Sequence, residues 1–92
     1  MGSGKILVVA SDLVLLKRAR MSFADTSSDI FTANDVSTAS RILNSNAYSF
    51  QHLYIQASLT ATEKKEIIWL AHQHKLQVNE ISIDKTGQFL IN

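Results

Sequence analysis

Short apolar runs alternate along this chain with stretches in which apolar residues recur every three or four positions. The run Lys5–Ala10 is apolar at every position after the lysine. A strand without polar alternation is typical of the centre of a parallel sheet, where both faces are covered. We therefore predict that this strand lies in the middle of a sheet and that the rest of the fold packs around it.

An amphipathic helix is predicted directly after this strand. Ser11 or Asp12 can cap it, because an oxygen-bearing side chain accepts the unpaired amide hydrogens of a first helical turn. The exposed side is expected to carry Lys17, Arg18 and Arg20. Residues at spacings of three and four are expected to form the buried stripe: Leu13, Leu16, Ala19 or Arg20, and Phe23.

The next strand and helix are shorter. The segment Asp29–Ala33 is predicted to be an edge strand, and Asp35 caps a helix that ends at Asn44–Asn46, whose side chains compete for backbone hydrogen bonds. The third strand is placed at Gln51–Ala57. The residues expected on the buried face of this second helix are Val36, Ala39 and Leu43.

The start of the third helix has a specific signature. Thr60 and Glu63 have the spacing of a capping box, in which each side chain binds the backbone amide of the other residue. The apolar residues that follow at helical spacing are Ile67, Leu70 and Ala71 with His74, and Ile68 and Trp69 widen that face.

The last segment changes from helical spacing to alternation. Leu76–Val78 and Ile81–Ile83 alternate with a change of phase at Asn79–Glu80, which predicts a bulge. Asp84–Gly87 is predicted to be a turn closed by a left-handed glycine, after which Phe89–Ile91 returns antiparallel. The predicted fold class is α/β: a three-layer sandwich with a mainly parallel sheet (βαβαβα) that ends in a C-terminal antiparallel β-hairpin. Residues 5–92 form one domain.

Composition narrows the range of partners. The chain has 92 residues, of which 46% are hydrophobic and 18% charged, and this suits one small domain with its own core. A net charge of +1 gives no electrostatic basis for binding nucleic acid or an anionic membrane, so neither is expected as a partner. The absence of cysteine excludes disulfide and thiolate chemistry and favours a cytoplasmic protein.

The first four residues, 1–4, have the composition of a cloning remnant and are left out of the predicted fold. Together with Lys5 they imitate the end of a phosphate-binding loop. The true motif needs a serine or threonine after the lysine and a strand before the loop, whereas here Ile6 follows and the strand comes later. No nucleotide-binding loop is predicted.

Two segments share a pattern with a known family. Ile6–Asp12 resembles the first strand of a response-regulator receiver domain, which in that family ends in acidic residues. Gln51–Thr60 is similar to the family's third strand, which ends at the aspartate that accepts a phosphoryl group. The resemblance covers the chain up to Thr60 and implies a receiver-like fold that is shortened at its C-terminus. An unrelated small three-layer α/β domain fits the same strand pattern, because parallel sheets share it.

The resemblance does not carry the family's chemistry with it. The acidic pair that holds Mg²⁺ falls on Ala10 and Ser11, with Asp12 as the remaining acid, and the phosphoacceptor falls on Gln56, or on Ala57 after a shift of one residue. Neutral side chains do not offset the charge of a divalent cation, and neither an amide nor a methyl group is a nucleophile for phosphoryl transfer. The chain is therefore predicted to have no metal, no cofactor and no catalytic residue.

The switch residues of the family have only nominal counterparts. Ser82 and Lys85 stand in the region where the family carries a serine or threonine and a lysine. The histidines do not suggest a metal site either. His72 and His74 point to opposite sides of a helix, and His52 lies on a different strand, whereas zinc needs three or four converging ligands.

The predicted function is a non-catalytic protein–protein interaction or dimerisation module in signalling, similar to a receiver domain that cannot be phosphorylated. An apolar hairpin at a sheet edge favours association unless it is covered, and aromatic residues concentrate in interfaces. The candidate interface residues are Trp69, Phe89, Leu90 and Ile91. The alternative is a small-molecule or nucleotide-binding domain that uses the carboxyl ends of the strands, where Ser11, Asp12, Gln56 and Ser58 would converge.

Overall fold

The computed structural model describes residues 5–24, 29–45 and 50–91. Strands and helices alternate up to the last strand, which follows another strand directly. The strands are β1 (Lys5–Val9), β2 (Asp29–Ala33), β3 (Phe50–Gln56), β4 (Gln77–Ile83) and β5 (Phe89–Ile91). The helices are α1 (Leu13–Phe23), α2 (Val36–Asn44) and α3 (Ala61–Gln73). These bounds agree with the predicted elements to within about two residues.

The five strands form one sheet in the order β2-β1-β3-β4-β5. The first four run parallel, and β5 pairs antiparallel with β4. This confirms the predicted α/β class with a C-terminal antiparallel pair. The middle strand of the five is β3 and not β1 as predicted, but β1 lies inside the sheet, flanked by β2 and β3. All its residues after Lys5 are buried, as its uninterrupted apolar sequence requires.

Helices cover both faces of the sheet, so the molecule has three layers. On one face α2 and α3 pack over the odd-numbered residues of β1 and β3, such as Leu7 and Leu53. On the other face α1 packs over the even-numbered residues, such as Ile6 and Val8. The α1 layer also includes Ile81 from β4 and the half-buried Phe89 from β5. Because α1 lies on one face and α2 and α3 on the other, their outer surfaces point in opposite directions.

The predicted helix starts are confirmed in detail. Asp12, and not Ser11, caps α1, since its carboxylate accepts the backbone N–H groups of Val14 and Leu15. Asp35 caps α2 through the backbone N–H of Thr38 at 2.7 Å. The capping box of α3 is formed, with Thr60 and Glu63 each accepting the other's N–H at 3.1 Å. The predicted end of α2 at Asn44 is also confirmed, while Asn46 lies outside the described residues.

The predicted bulge at Asn79–Glu80 is wrong. The pairing of β4 with β3 runs without interruption from Gln77 to Ile81, and β4 continues with β5 to Ile83. The apolar residues change phase because β4 is covered on different faces along its length. Val78 packs under the α2–α3 layer, whereas Ile81 packs under α1.

The predicted buried stripe of α1 is shifted. Leu15, Ala19 and Phe23 are buried and Leu16 is half-buried, whereas Leu13 is 72% exposed. Asp12 fixes the first turn, and the helix then presents every fourth residue from Leu15 to the sheet. The stripes of the other two helices are confirmed for Ala39 and Leu43 on α2 and for Ile67, Leu70 and Ala71 on α3. Val36 is half-buried, and Ile68 and Trp69, which were predicted to widen the buried face of α3, are exposed. His74 lies beyond the helix and is exposed.

Candidate functional site

The carboxyl ends of β1 and β3 meet at one edge of the sheet, where a parallel α/β domain usually binds ligands. The two strands are neighbours, and Val9 of β1 is paired with Ile55 of β3. Gln56 is the last residue of β3, and the β1–α1 loop of Ala10, Ser11 and Asp12 lies beside it. The structure thus brings together the residues that the receiver resemblance assigned to the degenerate pocket.

The side chain of Gln56 joins the two loops at this edge. Its Oε1 accepts the backbone N–H of Ser11 at 2.8 Å and that of Asp12 at 3.1 Å, and it also accepts the Ser11 hydroxyl at 3.3 Å. Its Nε2 donates to the hydroxyl of Ser58 in the β3–α3 loop. Both ends of the amide are therefore bound to protein, and the side chain acts as a clasp between the two loops.

The remaining acid of the pocket has a structural role. The Asp12 carboxylate accepts the N–H of Val14 at 2.9 Å and that of Leu15 at 3.4 Å, so it is bound to the first turn of α1. Ala10 is buried, and its N–H donates to the carbonyl of Ala33 at 3.0 Å. Ala10, Ser11 and Asp12 thus all form hydrogen bonds that hold the fold together. They provide one carboxylate, and not the acidic pair of a receiver domain.

A small crevice of about 180 Å³ lies at the same edge. Its wall is apolar or neutral apart from Asp12, and it includes Ser82 from the region of the predicted switch residues. Lys85 lies in the exposed β4–β5 turn. The residues that line the crevice are Asp12, Leu15, Gln56, Ala57, Ser58, Ile81, Ser82 and Ile83. Three of the four residues named for the alternative ligand site line it, and Ser11 does not.

The β4–β5 turn has its own internal hydrogen bonds. Asp84 accepts the N–H and hydroxyl of Thr86 and the N–H of Gln88. These bonds, with the Thr86 hydroxyl first and the Gln88 amide next, hold the pKa of the Asp84 carboxyl below its usual range. Gly87 has a φ of 86°, which confirms the predicted left-handed glycine. The Asp84 carboxylate therefore stabilises the hairpin turn.

A larger concave surface lies on the opposite face from α1. It is a groove of about 590 Å³ between α2 and α3. Trp69, which is 62% exposed, stands at this groove, and Val36 and Leu70 line it as apolar residues. The remaining lining residues are Ser37, Ser40, Lys65 and Glu66. Sequence reasoning missed the α2 side of this groove, although two small side chains one helical turn apart, Ser37 and Ser40, leave space beside that helix.

The four candidate interface residues do not lie on one surface. Trp69 faces α2, which packs over β2 and β1, while β5 is at the other edge of the sheet. Phe89 is half-buried and packs against the core layer under α1. Leu90 and Ile91 are exposed at the β5 edge. Trp69 and the β5 residues are therefore separate candidate surfaces.

Within residues 5–24, 29–45 and 50–91, no three histidine, aspartate or glutamate side chains come close enough to hold a metal ion. His72 lies on α3 and His52 on β3, and the Nε2 of His74 is 3.4 Å from Oδ1 of Asn44. No helix in the part of the chain that the structure describes has the length and apolar character required to cross a membrane.

Comparison with known proteins identifies the fold alone. No protein family profile and no curated protein matches the chain. Among solved structures it is similar to the solution NMR structure of a de novo designed Rossmann 2x3 fold protein, with a TM-score of 0.68 and 18% sequence identity. The match covers 90% of this chain and 64% of the designed one. The chain is thus a Rossmann-like α/β domain.

Proposed function

We propose that this chain is a non-catalytic, cytoplasmic module that forms homodimers and acts without phosphorylation, similar to a receiver domain that has lost its switch. The observation that carries the proposal is the exposed Trp69 beside the groove between α2 and α3. Tryptophan is the residue type most enriched at the energetic centre of interfaces. Leaving most of such a side chain in water is costly unless a second surface covers it.

The projecting indole and the groove are neighbours, which makes this surface complementary to itself. A two-fold axis near Trp69 would place the indole of each subunit in the groove of the other, over Val36 and Leu70. Such an isologous contact uses the same patch twice, as in most soluble dimers. A groove of about 590 Å³ is large enough for an indole. The size of the groove thus supports a second copy of the chain as its occupant.

The charges at the groove do not oppose the same partner. Lys65 and Glu66 are adjacent on α3 and both line the groove. In an antiparallel pair of α3 helices with its axis near Trp69, both residues lie about one helical turn from the axis, opposite the last turn of the other helix. The groove thus presents one charge of each sign, and no like charges are forced together.

Independence from phosphorylation is supported by the Gln56 clasp. In the receiver family the corresponding side chain must be a free carboxylate, whereas here a neutral amide is bound to Ser11, Asp12 and Ser58. A carboxamide is not a nucleophile for phosphoryl transfer. Contact between subunits is then constitutive.

Sedimentation velocity across a wide concentration range tests the dimer. We expect wild-type protein to shift from monomer to dimer as concentration rises, and the single tryptophan to show a blue-shifted emission in parallel. Trp69→Ala should stay monomeric. Ile68→Ala is the matched control, because Ile68 is an exposed apolar neighbour on the other flank of α3, away from the groove. A wild-type protein that stays monomeric at the highest concentration contradicts the proposal.

The alternative function, a ligand site at the strand ends, is supported by the crevice that includes Asp12, Gln56 and Ser58. Its small size and internal hydrogen bonds disfavour a nucleotide. A thermal-shift screen with nucleotides checks it, and a strong stabilisation would favour the ligand site over the dimer. Acetyl phosphate with Mg²⁺ should leave the intact mass unchanged.

A further inference from the structure

The outer surface of α1 carries a second pattern that neither the fold nor the proposed dimer uses. Since a helix advances about 100° per residue, Val14, Lys17 and Met21 line up along the ridge opposite its buried stripe. Val14 and Met21 are each 60% exposed. Arg18 and Arg20 flank this ridge on either side. We call these five residues the α1 ridge.

The two flanks of the ridge are fixed by neighbouring elements. Arg20 lies on the β2 side, where its Nη2 donates to the hydroxyl of Thr32 at 3.3 Å. Arg18 lies on the opposite side, where its Nη2 is 3.9 Å from the position that a Cβ on Gly87 would take. The two guanidinium groups therefore border the apolar ridge on both sides.

Within the described residues, α1 itself carries no acidic side chain to offset the basic residues of its ridge. The sequence of α1, Leu13–Phe23, contains three basic residues and no acidic one. In the part of the chain that the structure describes, the ion pairs are Lys5–Asp29 and Lys64–Glu80, and neither involves this helix. The helix presents three positive charges beside exposed apolar side chains, and the carboxylate that precedes it, Asp12, is bound to its first turn.

The spacing of the ridge matches one side of a helix–helix contact. Val14 and Met21 are seven residues apart, as are successive a positions of a heptad, and Lys17 stands at the d position between them. Arg18 and Arg20 then fall on the e and g positions that border the contact. In such a contact the e and g charges choose the partner.

We propose that the α1 ridge binds an amphipathic helix of another protein, one with apolar residues seven positions apart and glutamate or aspartate at the flanking positions. The apolar residues pack on Val14 and Met21, and the carboxylates pair with Arg18 and Arg20. Lys17, between Val14 and Met21, pairs with a further acidic residue of the partner helix. This surface lies on the face of the sheet opposite Trp69, so the inference does not depend on the dimer.

Other occupants fit the ridge less well. A second copy of α1 would set arginine against arginine at every flanking position, and like charges there are destabilising. Nucleic acid would place phosphates against Val14 and Met21 and bury no aromatic stacking partner. A flat anionic membrane would bring the carboxylate of Asp12, next to the ridge, close to the lipid phosphates, whereas a single helix contacts only the ridge.

Two synthetic peptides test the proposal. The acidic probe is a three-heptad helix with leucine at a and d and glutamate at e and g, and the basic probe has lysine at e and g instead. Fluorescence anisotropy of labelled peptide should show the acidic probe binding at least tenfold tighter than the basic one. Amide shifts in ¹H–¹⁵N spectra should map to α1, with Trp69 unaffected.

Charge reversal on the protein completes the test. Arg18→Glu should weaken binding of the acidic probe about tenfold, which corresponds to about 1.4 kcal/mol. The same variant should strengthen binding of the basic probe. Arg41→Glu is the matched control, since Arg41 is an exposed arginine on α2, on the opposite face. Equal binding of the two probes, or amide shifts that map elsewhere, would overturn the proposal. The proposal would also be overturned if the protein bound vesicles rich in phosphatidylserine more strongly than the acidic probe and Arg18→Glu abolished the binding to vesicles.

Discussion

The ring of Phe89 on β5 meets the ring of Phe23 on α1 edge to face, with centroids 5.7 Å apart. Phe23 in turn lies 4.6 Å from the ring of Tyr54 on β3. Three elements that are distant in sequence thus share one aromatic cluster. This contact anchors the short C-terminal strand to the helix above it, and it explains why Phe89 belongs to the core and its neighbours do not.

Truncating Phe89 should therefore destabilise the fold far more than truncating Leu90. Phe89→Ala removes the edge-to-face contact and leaves a cavity under α1, which should lower the free energy of unfolding by about 2–3 kcal/mol. The same substitution at a fully buried phenylalanine costs about 3–5 kcal/mol, and Phe89 is half-buried. Leu90→Ala at the exposed edge should cost under about 1 kcal/mol. Urea denaturation measures both. Equal losses would mean that β5 is not held through Phe89.

The Gln56 clasp makes a separate contribution to stability. Gln56→Leu removes the acceptor for the Ser11 and Asp12 amides and the donor to Ser58, which should lower the free energy of unfolding by about 1–2 kcal/mol. Gln56→Glu keeps an acceptor for both amides and should lose less. Gln73→Leu, at an exposed position near the end of α3, is the control. If Gln56→Leu is no less stable than that control, the clasp has no energetic role.

The capping box of α3 can be tested within a single turn. Thr60→Ala removes the hydroxyl that accepts the Glu63 amide, and the expected cost is about 1 kcal/mol. Thr62→Ala changes the same residue type two positions later, where the side chain is exposed and has no capping role. Thermal denaturation should separate the two variants by about 4–8 °C. Coincident melting curves would contradict the role of the box.

Acid should weaken the fold through two carboxylates, that of the helix cap Asp35 and that of Asp84 in the β4–β5 turn. The Thr38 backbone amide, and then its hydroxyl, lowers the pKa of Asp35, and the Thr86 hydroxyl and the Gln88 amide lower that of Asp84. A lowered native pKa means that the unfolded chain binds more protons in this range, so stability rises with pH there. The contribution is complete above the ordinary aspartate pKa of about 4 and is lost as pH falls through the native values.

The double variant Asp35→Asn with Asp84→Asn checks this assignment. It should have a flatter dependence of unfolding free energy on pH than wild type between about pH 5 and pH 2. Urea melts at a series of pH values give the slope. An unchanged slope would mean that other carboxyl groups control the acid response.

At Gly87 the expected cost comes from the backbone. Its φ of 86° lies in the left-handed region, but an added Cβ would make only an ordinary contact with Arg18 at 3.9 Å. Gly87→Ala should therefore cost about 1 kcal/mol through conformation. Gly87→Asn should cost less, since asparagine tolerates this region better. Equal losses in both variants would point to crowding instead.

Much of this fold follows from local sequence signals. The uninterrupted apolar run Lys5–Ala10 identified a strand inside the sheet that is buried on both faces. Asp12, Asp35 and Thr60 identified the three helix starts, because capping is a property of a few adjacent residues. The turn at Asp84–Gly87 was predictable for the same reason. In each case a short segment contains all the groups that determine its conformation.

The predictions that failed concern which side of an element is covered. Leu13 fits a helical stripe as well as Leu15 does, and only the packing of α1 on the sheet decides between them. The bulge predicted in β4 was wrong because different helical layers cover the two ends of this strand. The sequence of one strand does not reveal which layer covers it. The receiver resemblance, the dimer and the absence of catalysis stay predictions.

The placement of α1 and α3 on opposite faces of the sheet has a consequence for avidity. A pair of subunits joined through their α3 faces would carry two α1 ridges, one on each outer side. A partner with two acidic helices on a tether long enough to reach around the pair would bind the second ridge at a high effective concentration. Apparent affinity for such a bivalent partner would then depend on the concentration of the domain itself.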